Sequence, residues 1–204
     1  ISESLELDQF NVGCLYERYL VTREASDLSA WKELMRNEVN NYHELALDYA
    51  AAGCWLEAVE VLQQVIAAGL ATPMTHYYIG WCSVMGNLHL EEEAFQAAAS
   101  CSLDYCFPNR LEDILALECA ISHSSQDAKA HYYLGDLWYD KRQYDLAVRE
   151  WETSAELDDT FPTVWRNLAL AYFNKQHRKE DALRCMERAF SLNESDARVL
   201  MELD

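Results

Sequence analysis

The sequence contains few of the residues that favour turns and β-structure. It has 6 glycines and 3 prolines in 204 residues, beside many Ala, Leu and Glu residues, and this composition predicts an all-α fold. No run approaches the ~20 apolar residues that cross a bilayer, so we expect no membrane partner.

Three motifs that serve phosphate, dinucleotide or acyl chemistry are missing. The sequence has no G-x-x-x-x-G-K-[ST], no G-x-G-x-x-G after a strand and no G-x-S-x-G. The acidic triplet Glu91-Glu92-Glu93 fits the start of a helix, where the helix dipole favours negative charge. We therefore expect no catalysis within this sequence and no cofactor.

Basic residues are scarce, and one long stretch has none. The formal net charge is −19, and positions 37–109 carry nine Asp or Glu residues but no Lys or Arg. Such a surface repels phosphate backbones, which argues against nucleic-acid binding. Because the same stretch is rich in Ala and aromatic residues, it is either a contact surface for another domain or an ordinary Ala-rich core.

Cysteine pairs with metal-binding spacing are also absent. The seven cysteines include no C-x-x-C pair, which favours free thiols in a reducing compartment and a cytoplasmic location. The alternative is that Cys101 and Cys106 form half of a metal site. The six histidines are scattered, and His76 and His131 each precede a Tyr-Tyr pair. A shared repeat position explains these two better than metal ligation, so we predict no metal site.

What the sequence does contain is a pattern that recurs about every 34 residues. Leu134 and Leu168 are 34 positions apart, and Ala147 and Ala182 are one further. Small residues alternate with large ones at helical spacing, which predicts paired helices that approach most closely at the small residues. One such pair cannot bury both of its apolar faces, so neighbouring pairs must stack.

This pattern resembles the tetratricopeptide repeat, a helix-turn-helix unit. The resemblance implies an α-α superhelix, or solenoid, of stacked antiparallel helix pairs with one solitary inserted helix. Both ends look like parts of repeats, which suggests a segment cut from a longer array. The predicted units are a degenerate repeat at 1–38, repeats at 39–72 and 73–108, an extra helix at 109–123, repeats at 128–161 and 162–195, and the start of another at 196–204.

Repeats of this family generally bind partners on the concave face, along the first helix of each pair. The residues that the helical period places on that face form an aromatic, weakly charged groove. They are Tyr77, Trp81, Tyr132, Asp136, Tyr139, Arg166 and Phe173. The groove lacks the Lys and Asn set with which family members clamp a C-terminal carboxylate. We expect a non-catalytic scaffold that binds a protein or peptide, or the missing N-terminal domain of its own parent protein.

A narrower resemblance suggests an alternative function. Residues 104–112 and 161–175 resemble C-terminal repeat arrays of large bacterial proteins whose N-terminal β-rich domain is similar to carbohydrate-active folds. This resemblance implies an accessory region of a carbohydrate-active enzyme, with any catalysis in the parent protein's other domains. In that case, four of the groove residues would contribute to a glycan site, namely Tyr77, Trp81, Tyr132 and Tyr139.

Overall fold

A computed structural model describes residues 1–103 and 106–203 of the chain. Asp104, Tyr105 and Asp204, which belong to the predicted units 73–108 and 196–204 and to the resemblance at 104–112, lie outside the described residues. The helices are α1 (Ser2–Leu7), α2 (Val12–Thr22), α3 (Ala25–Met35), α4 (Val39–Ala51), α5 (Trp55–Ala67), α6 (Pro73–Gly86), α7 (Glu91–Ser100), α8 (Leu111–His123), α9 (Ala128–Asp140), α10 (Tyr144–Leu157), α11 (Pro162–Ala171), α12 (Lys179–Leu192) and α13 (Ala197–Leu203). A π-helical turn, Tyr172–Gln176, extends α11.

Within the described ranges the regular structure is entirely helical, which confirms the predicted fold class. The successive packed pairs are α2 and α3, α4 and α5, α6 and α7, α9 and α10, and α11 and α12. Helix α8 stands between two of these pairs and packs on α6 and on α9. It is a solitary helix inserted between two pairs. None of the described helices is both long enough and apolar enough to span a bilayer.

Two glycines allow the closest approach between paired helices. A Cβ atom on Gly80 of α6 would lie 2.2 Å from the ring of Phe95 in α7. A Cβ atom on Gly135 of α9 would likewise lie 2.4 Å from the indole of Trp151 in α10. Because real Cβ atoms do not approach other atoms so closely, both positions require glycine, as the prediction of small residues at the helix contacts implies.

A buried aspartate fixes the start of α8. The Asp113 carboxylate, only 1% exposed, accepts hydrogen bonds from the backbone N–H groups of Asn109 (2.7 Å) and Arg110 (2.9 Å). It also accepts the hydroxyl of Tyr78 in α6. The first turn of α8 is thus capped and tied to α6 by one side chain.

The segment before α8 is tied to two other helices. The Arg110 Nε donates to Glu44 Oε1 of α4 at 2.9 Å. At the other side, Lys141 Nζ, just after α9, donates to the Asn109 carbonyl at 2.8 Å. This connection (residues 106–110) therefore bridges the early and late helix pairs.

Helix α6 is buried almost all round. From Pro73 to Ser83 every residue except His76 is buried, because α5, α7 and α8 all pack on this helix. In α6, the stretch without basic residues is therefore core rather than a free contact surface. Ser83, where the repeat pattern predicts an aromatic residue, donates to Glu91 Oε2 and accepts from the Leu90 N–H, both at 2.7 Å. It replaces aromatic packing with hydrogen bonds that order the turn before α7.

Candidate functional site

An open groove lies over the first helices of the last two pairs. It has a volume of about 510 Å³, and we call it the α9–α11 groove. The α7–α8 connection forms one wall, and Trp151 of α10 and Arg198 of α13 complete the lining. The groove residues are Phe107, Pro108, Asn109, Tyr132, Asp136, Tyr139, Asp140, Trp151, Thr163, Arg166, Asn167, Leu170 and Arg198.

Asp136 lies where three helices meet at the floor of this groove. Its Oδ1 accepts hydrogen bonds from Trp151 Nε1 of α10 at 3.1 Å and from Asn167 Nδ2 of α11 at 2.9 Å. Burial raises the pKa of the carboxyl group to about 7, although hydrogen bonds from Tyr132, Trp151 and Asn167 act to lower it. The carboxyl group therefore changes charge near neutral pH.

Aromatic rings form the walls on either side of Asp136. Tyr132 meets the ring of Phe161 nearly edge-on, with 4.6 Å between the centroids. The ring of Tyr139 lies 5.4 Å from that of Trp151 and 5.0 Å from that of Tyr144. Tyr132 and Trp151 are largely buried, at 7% and 3% exposed, so the half-buried Tyr139 offers most of the aromatic contact area for a partner.

The basic groups of the groove already have acidic partners. Arg166 Nε donates to Glu202 Oε2 of α13 at 2.8 Å, and Arg198 Nη2 pairs with Asp196 Oδ2 at 2.7 Å. Lys141 Nζ, at the groove's edge, lies 2.9 Å from Asp140 Oδ2. Within each pair, the negative charge of the acid offsets the positive charge of the base.

The structure brings together four of the seven residues predicted to line a binding groove. Tyr132, Asp136, Tyr139 and Arg166 all line the α9–α11 groove. Phe173, which is 53% exposed, lines a neighbouring groove of about 470 Å³ formed by α11, α12 and α13. The positional rule of the repeat therefore places residues of the last two units on one connected surface, since Leu170 lines both grooves.

The other two predicted residues, Tyr77 and Trp81, lie in the core. Tyr77 is fully buried and its hydroxyl donates to the Asp127 carboxylate at 3.0 Å, at the start of α9. Trp81 is 8% exposed and packs edge-on against Trp55 of α5, with 5.7 Å between the centroids. Tyr77 is covered by residues at α9, namely Asp127 and Tyr133, and Trp81 by α5. The four aromatic residues named for a glycan site therefore do not share a surface.

Several lining residues are not among those predicted from the spacing of the repeat. Phe107, 75% exposed, projects from the α7–α8 connection into the rim of the groove. Trp151 belongs to a second helix, and Arg198 to the segment after the last complete pair. Thr163 and Leu170 do carry a usable pattern, because they lie three positions before and four positions after Arg166 on the first helix of its unit.

Among the described residues, Cys101 and Cys106 have no further ligands that would complete a metal site. In the part of the chain that the structure describes, no three His, Cys, Asp or Glu residues are arranged to hold a metal ion. The seven cysteines are free thiols, and Cys82, Cys106 and Cys185 are buried. Burial raises the pKa of Cys106 to about 11, so its thiol stays protonated at neutral pH.

Several solved structures are similar to this chain. One is a MamA structure, 21% identical, with a TM-score of 0.43 over 84% of this chain and 90% of that chain. A MamA fragment from Desulfovibrio magneticus RS-1 is 16% identical, with a TM-score of 0.42 over 93% of this chain and 98% of that one. YrrB, described as a TPR protein with an unusual peptide-binding site, is 16% identical with a TM-score of 0.45 and covers 98% of this chain and 96% of its own.

A comparison with models of protein families matches one part of the chain. The matching model is that of the tetratricopeptide repeat, and the matched residues are 109–163. This range contains α8, α9 and α10 and reaches the beginning of α11. The match supports the resemblance drawn from the recurring pattern. Residues 109–163, which include the groove residues from α9 and α10, match the tetratricopeptide repeat family.

Proposed function

We propose that this chain is a non-catalytic scaffold that binds a segment of a partner protein in the α9–α11 groove. The observation that carries the proposal is the convergence of Tyr132, Asp136, Tyr139 and Arg166 on one open groove of about 510 Å³. Aromatic anchors surrounded by a few fixed polar groups are typical of peptide-binding surfaces. The partner is a separate protein or another domain of the same polypeptide.

The rim of the groove supports the same proposal. Phe107 leaves 75% of its side chain in solvent, while the flanking Cys106 and Pro108 are buried and hold its backbone in place. An exposed aromatic side chain on an anchored segment gains contact area when a partner covers it. The Phe107 side chain can therefore be removed at little cost to the stability of the fold.

Panning a phage-displayed random peptide library against the immobilised chain tests this proposal. For the selected peptides, calorimetry then compares the wild type with Phe107→Ala, which removes a rim contact, and with Thr163→Arg, which fills the groove. We expect both substitutions to weaken binding about tenfold or more, because Phe107→Ala removes anchor contact area and Thr163→Arg occupies space that the partner needs.

Phe10→Ala is the matched control, since Phe10 is also an exposed aromatic residue, at 63%, but lies before α2 and outside the groove. Its affinity should equal that of the wild type. A library that yields no binders, or binders whose affinity is the same in all four proteins, would contradict the proposed groove.

A further inference from the structure

The carboxyl group of Asp136 has hydrogen-bond donors around it but no cation. Its donors are Trp151 Nε1 at 3.1 Å, Asn167 Nδ2 at 2.9 Å and the Tyr132 hydroxyl, and all three are neutral groups. Among the described residues, no Lys, Arg or His side chain forms an ion pair with Asp136. A partly buried carboxylate without a counter-ion is costly, and a cation that enters the groove removes part of that cost.

The other ionisable groups that face Asp136 do not supply a positive charge that could pair with it. Tyr132 and Tyr133 come from α9 itself, and Cys106 from the α7–α8 connection, and burial raises the pKa of all three. They are therefore neutral at physiological pH. Asp140 lies one turn further along α9 and is paired with Lys141.

The arginines at the far side of the groove already form ion pairs with other acids. Arg166 of α11 pairs with Glu202, and Arg198 of α13 pairs with Asp196. Trp151 is the groove residue contributed by α10, and it carries no charge. Among the described residues that line the groove, Asp136 is thus the one carboxylic acid or basic group without an ion-pair partner.

The aromatic wall beside Asp136 already receives an ammonium group from the chain itself. Lys175 Nζ, in the π-helical turn, lies 4.3 Å from the ring centroid of Tyr144 and 6.0 Å from that of Tyr139. Tyr139 is three residues after Asp136, so both occupy the same side of α9. A ring face and a carboxylate side by side are suited to a side chain with an apolar stem and a cationic head.

We propose that the α9–α11 groove selects a partner segment with a basic side chain, Lys or Arg, whose cationic head pairs with Asp136 and whose stem lies against Tyr139. This inference rests on the proposed function, because it names the chemistry that the same groove recognises. A net charge of −19 also attracts basic segments toward the chain before they dock.

The strength of pairing between Asp136 and a cation depends on how far the Asp136 carboxyl group is ionised. Because burial raises the pKa of Asp136 to about 7, a large part of the carboxyl population is protonated near neutral pH. A bound cation favours the ionised form, so binding releases a proton and strengthens as the pH rises. An acid with a pKa of 7 is about 10% ionised at pH 6 and about 90% ionised at pH 8, so we expect about a tenfold change in affinity.

Two synthetic peptide libraries test the inference. Both have randomised positions around one fixed residue, which is Arg in the first library and its neutral near-isostere citrulline in the second. We expect the wild type to bind the Arg library about tenfold more tightly at pH 8, and this preference to shrink at pH 6. Asp136→Asn, which keeps an oxygen for Trp151 and Asn167, should remove both the preference and its pH dependence.

Asp48→Asn is the matched control, since it removes one negative charge from an exposed position on α4 and should leave the preference intact. Equal binding of the two libraries, still sensitive to Thr163→Arg, overturns the inference and leaves the proposed function standing. A preference for Arg that persists in Asp136→Asn also overturns it, because overall charge then explains the selectivity. Binding insensitive to Thr163→Arg, or no binding, contradicts the proposed function itself. Should Asp136→Asn fail to fold, the comparison of libraries and of pH in the wild type still decides.

Discussion

Gly135 lies directly against the indole ring of Trp151, so closely that a Cβ atom at position 135 would be 2.4 Å from Trp151 Cδ1. This contact positions the helix pair and also the hydrogen bonds that the indole makes to α9. The same indole donates from Nε1 to the Tyr132 carbonyl at 3.2 Å and to the Asp136 carboxylate at 3.1 Å. The close approach of α9 and α10 therefore sets the floor of the α9–α11 groove.

Gly135→Ala should destabilise the protein, because the added methyl group must displace Trp151 from a closely packed site. Overpacking of this kind costs about 1–3 kcal/mol, and the free energy of unfolding measured with urea should fall by that amount. Gly13→Ala is the control, since the nearest atom to its Cβ is 3.6 Å away. The higher helix propensity of Ala should make that change neutral or slightly stabilising. Equal effects at the two sites would contradict the packing argument.

Which residues line the groove could be predicted in the later units but not in the earlier ones. The spacing of the repeat identifies Asp136 and Tyr139, which are half-buried and line the groove, because α9 and α11 keep the regular pair arrangement. The same spacing applied to α6 identifies Tyr77 and Trp81, which are buried. The pattern describes contacts within and between regular pairs, and α8 breaks that regularity by covering one side of α6.

The sequence pattern gives no indication of contacts that come from irregular segments. Phe107 reaches the groove because Arg110 is tied to Glu44 and the Asn109 carbonyl to Lys141. These partners are 66 and 32 positions away in the sequence. Helical periodicity contains no information about a connection of this kind, so the rim of the groove became visible only in three dimensions.

Trp81→Ala should reduce stability rather than act on a binding surface. The side chain is 8% exposed and packs against Trp55, and replacing a buried Trp with Ala typically costs about 3–5 kcal/mol. Thermal unfolding followed by circular dichroism should show a marked loss. Phe107→Ala, at a 75% exposed site, should stay within about 0.5 kcal/mol of the wild type. A Trp81→Ala protein as stable as Phe107→Ala would show that this contact is not part of the core.

His43 should make the protein less stable in acid. Burial, together with the positive charge of Arg110, lowers the pKa of His43 to about 4, so the unfolded chain binds this proton more readily than the folded one. The resulting stability is present above pH 6.5 and is lost as the pH falls toward 4. Urea unfolding between pH 4 and 7 should show a shallower decline in His43→Gln than in the wild type. Identical slopes would indicate that His43 titrates normally.

Asp136 should have the opposite effect on the stability profile. Its folded-state pKa of about 7 lies above the ordinary value of 3.8, so the folded protein holds this proton more tightly than the unfolded chain. The contribution is fully present below about pH 4 and is lost as the pH rises through 7. Asp136→Asn should therefore flatten the decline in unfolding free energy between pH 5 and 8. A decline that survives this substitution would have to come from another group.

The Asp113–Tyr78 hydrogen bond should couple α8 to the preceding pair. Asp113→Ala removes the cap from two backbone N–H groups and leaves the buried hydroxyl of Tyr78 without its acceptor. We expect a loss of about 2–5 kcal/mol, because a lost cap and an unsatisfied buried group act together. Tyr78→Phe keeps the cap and should cost about 1.5–3 kcal/mol. Once Asp113 is absent, removing the hydroxyl should cost nothing more, so the double variant should be no less stable than Asp113→Ala alone. Strictly additive losses in this cycle, measured by urea unfolding, would mean that the two side chains stabilise α8 independently.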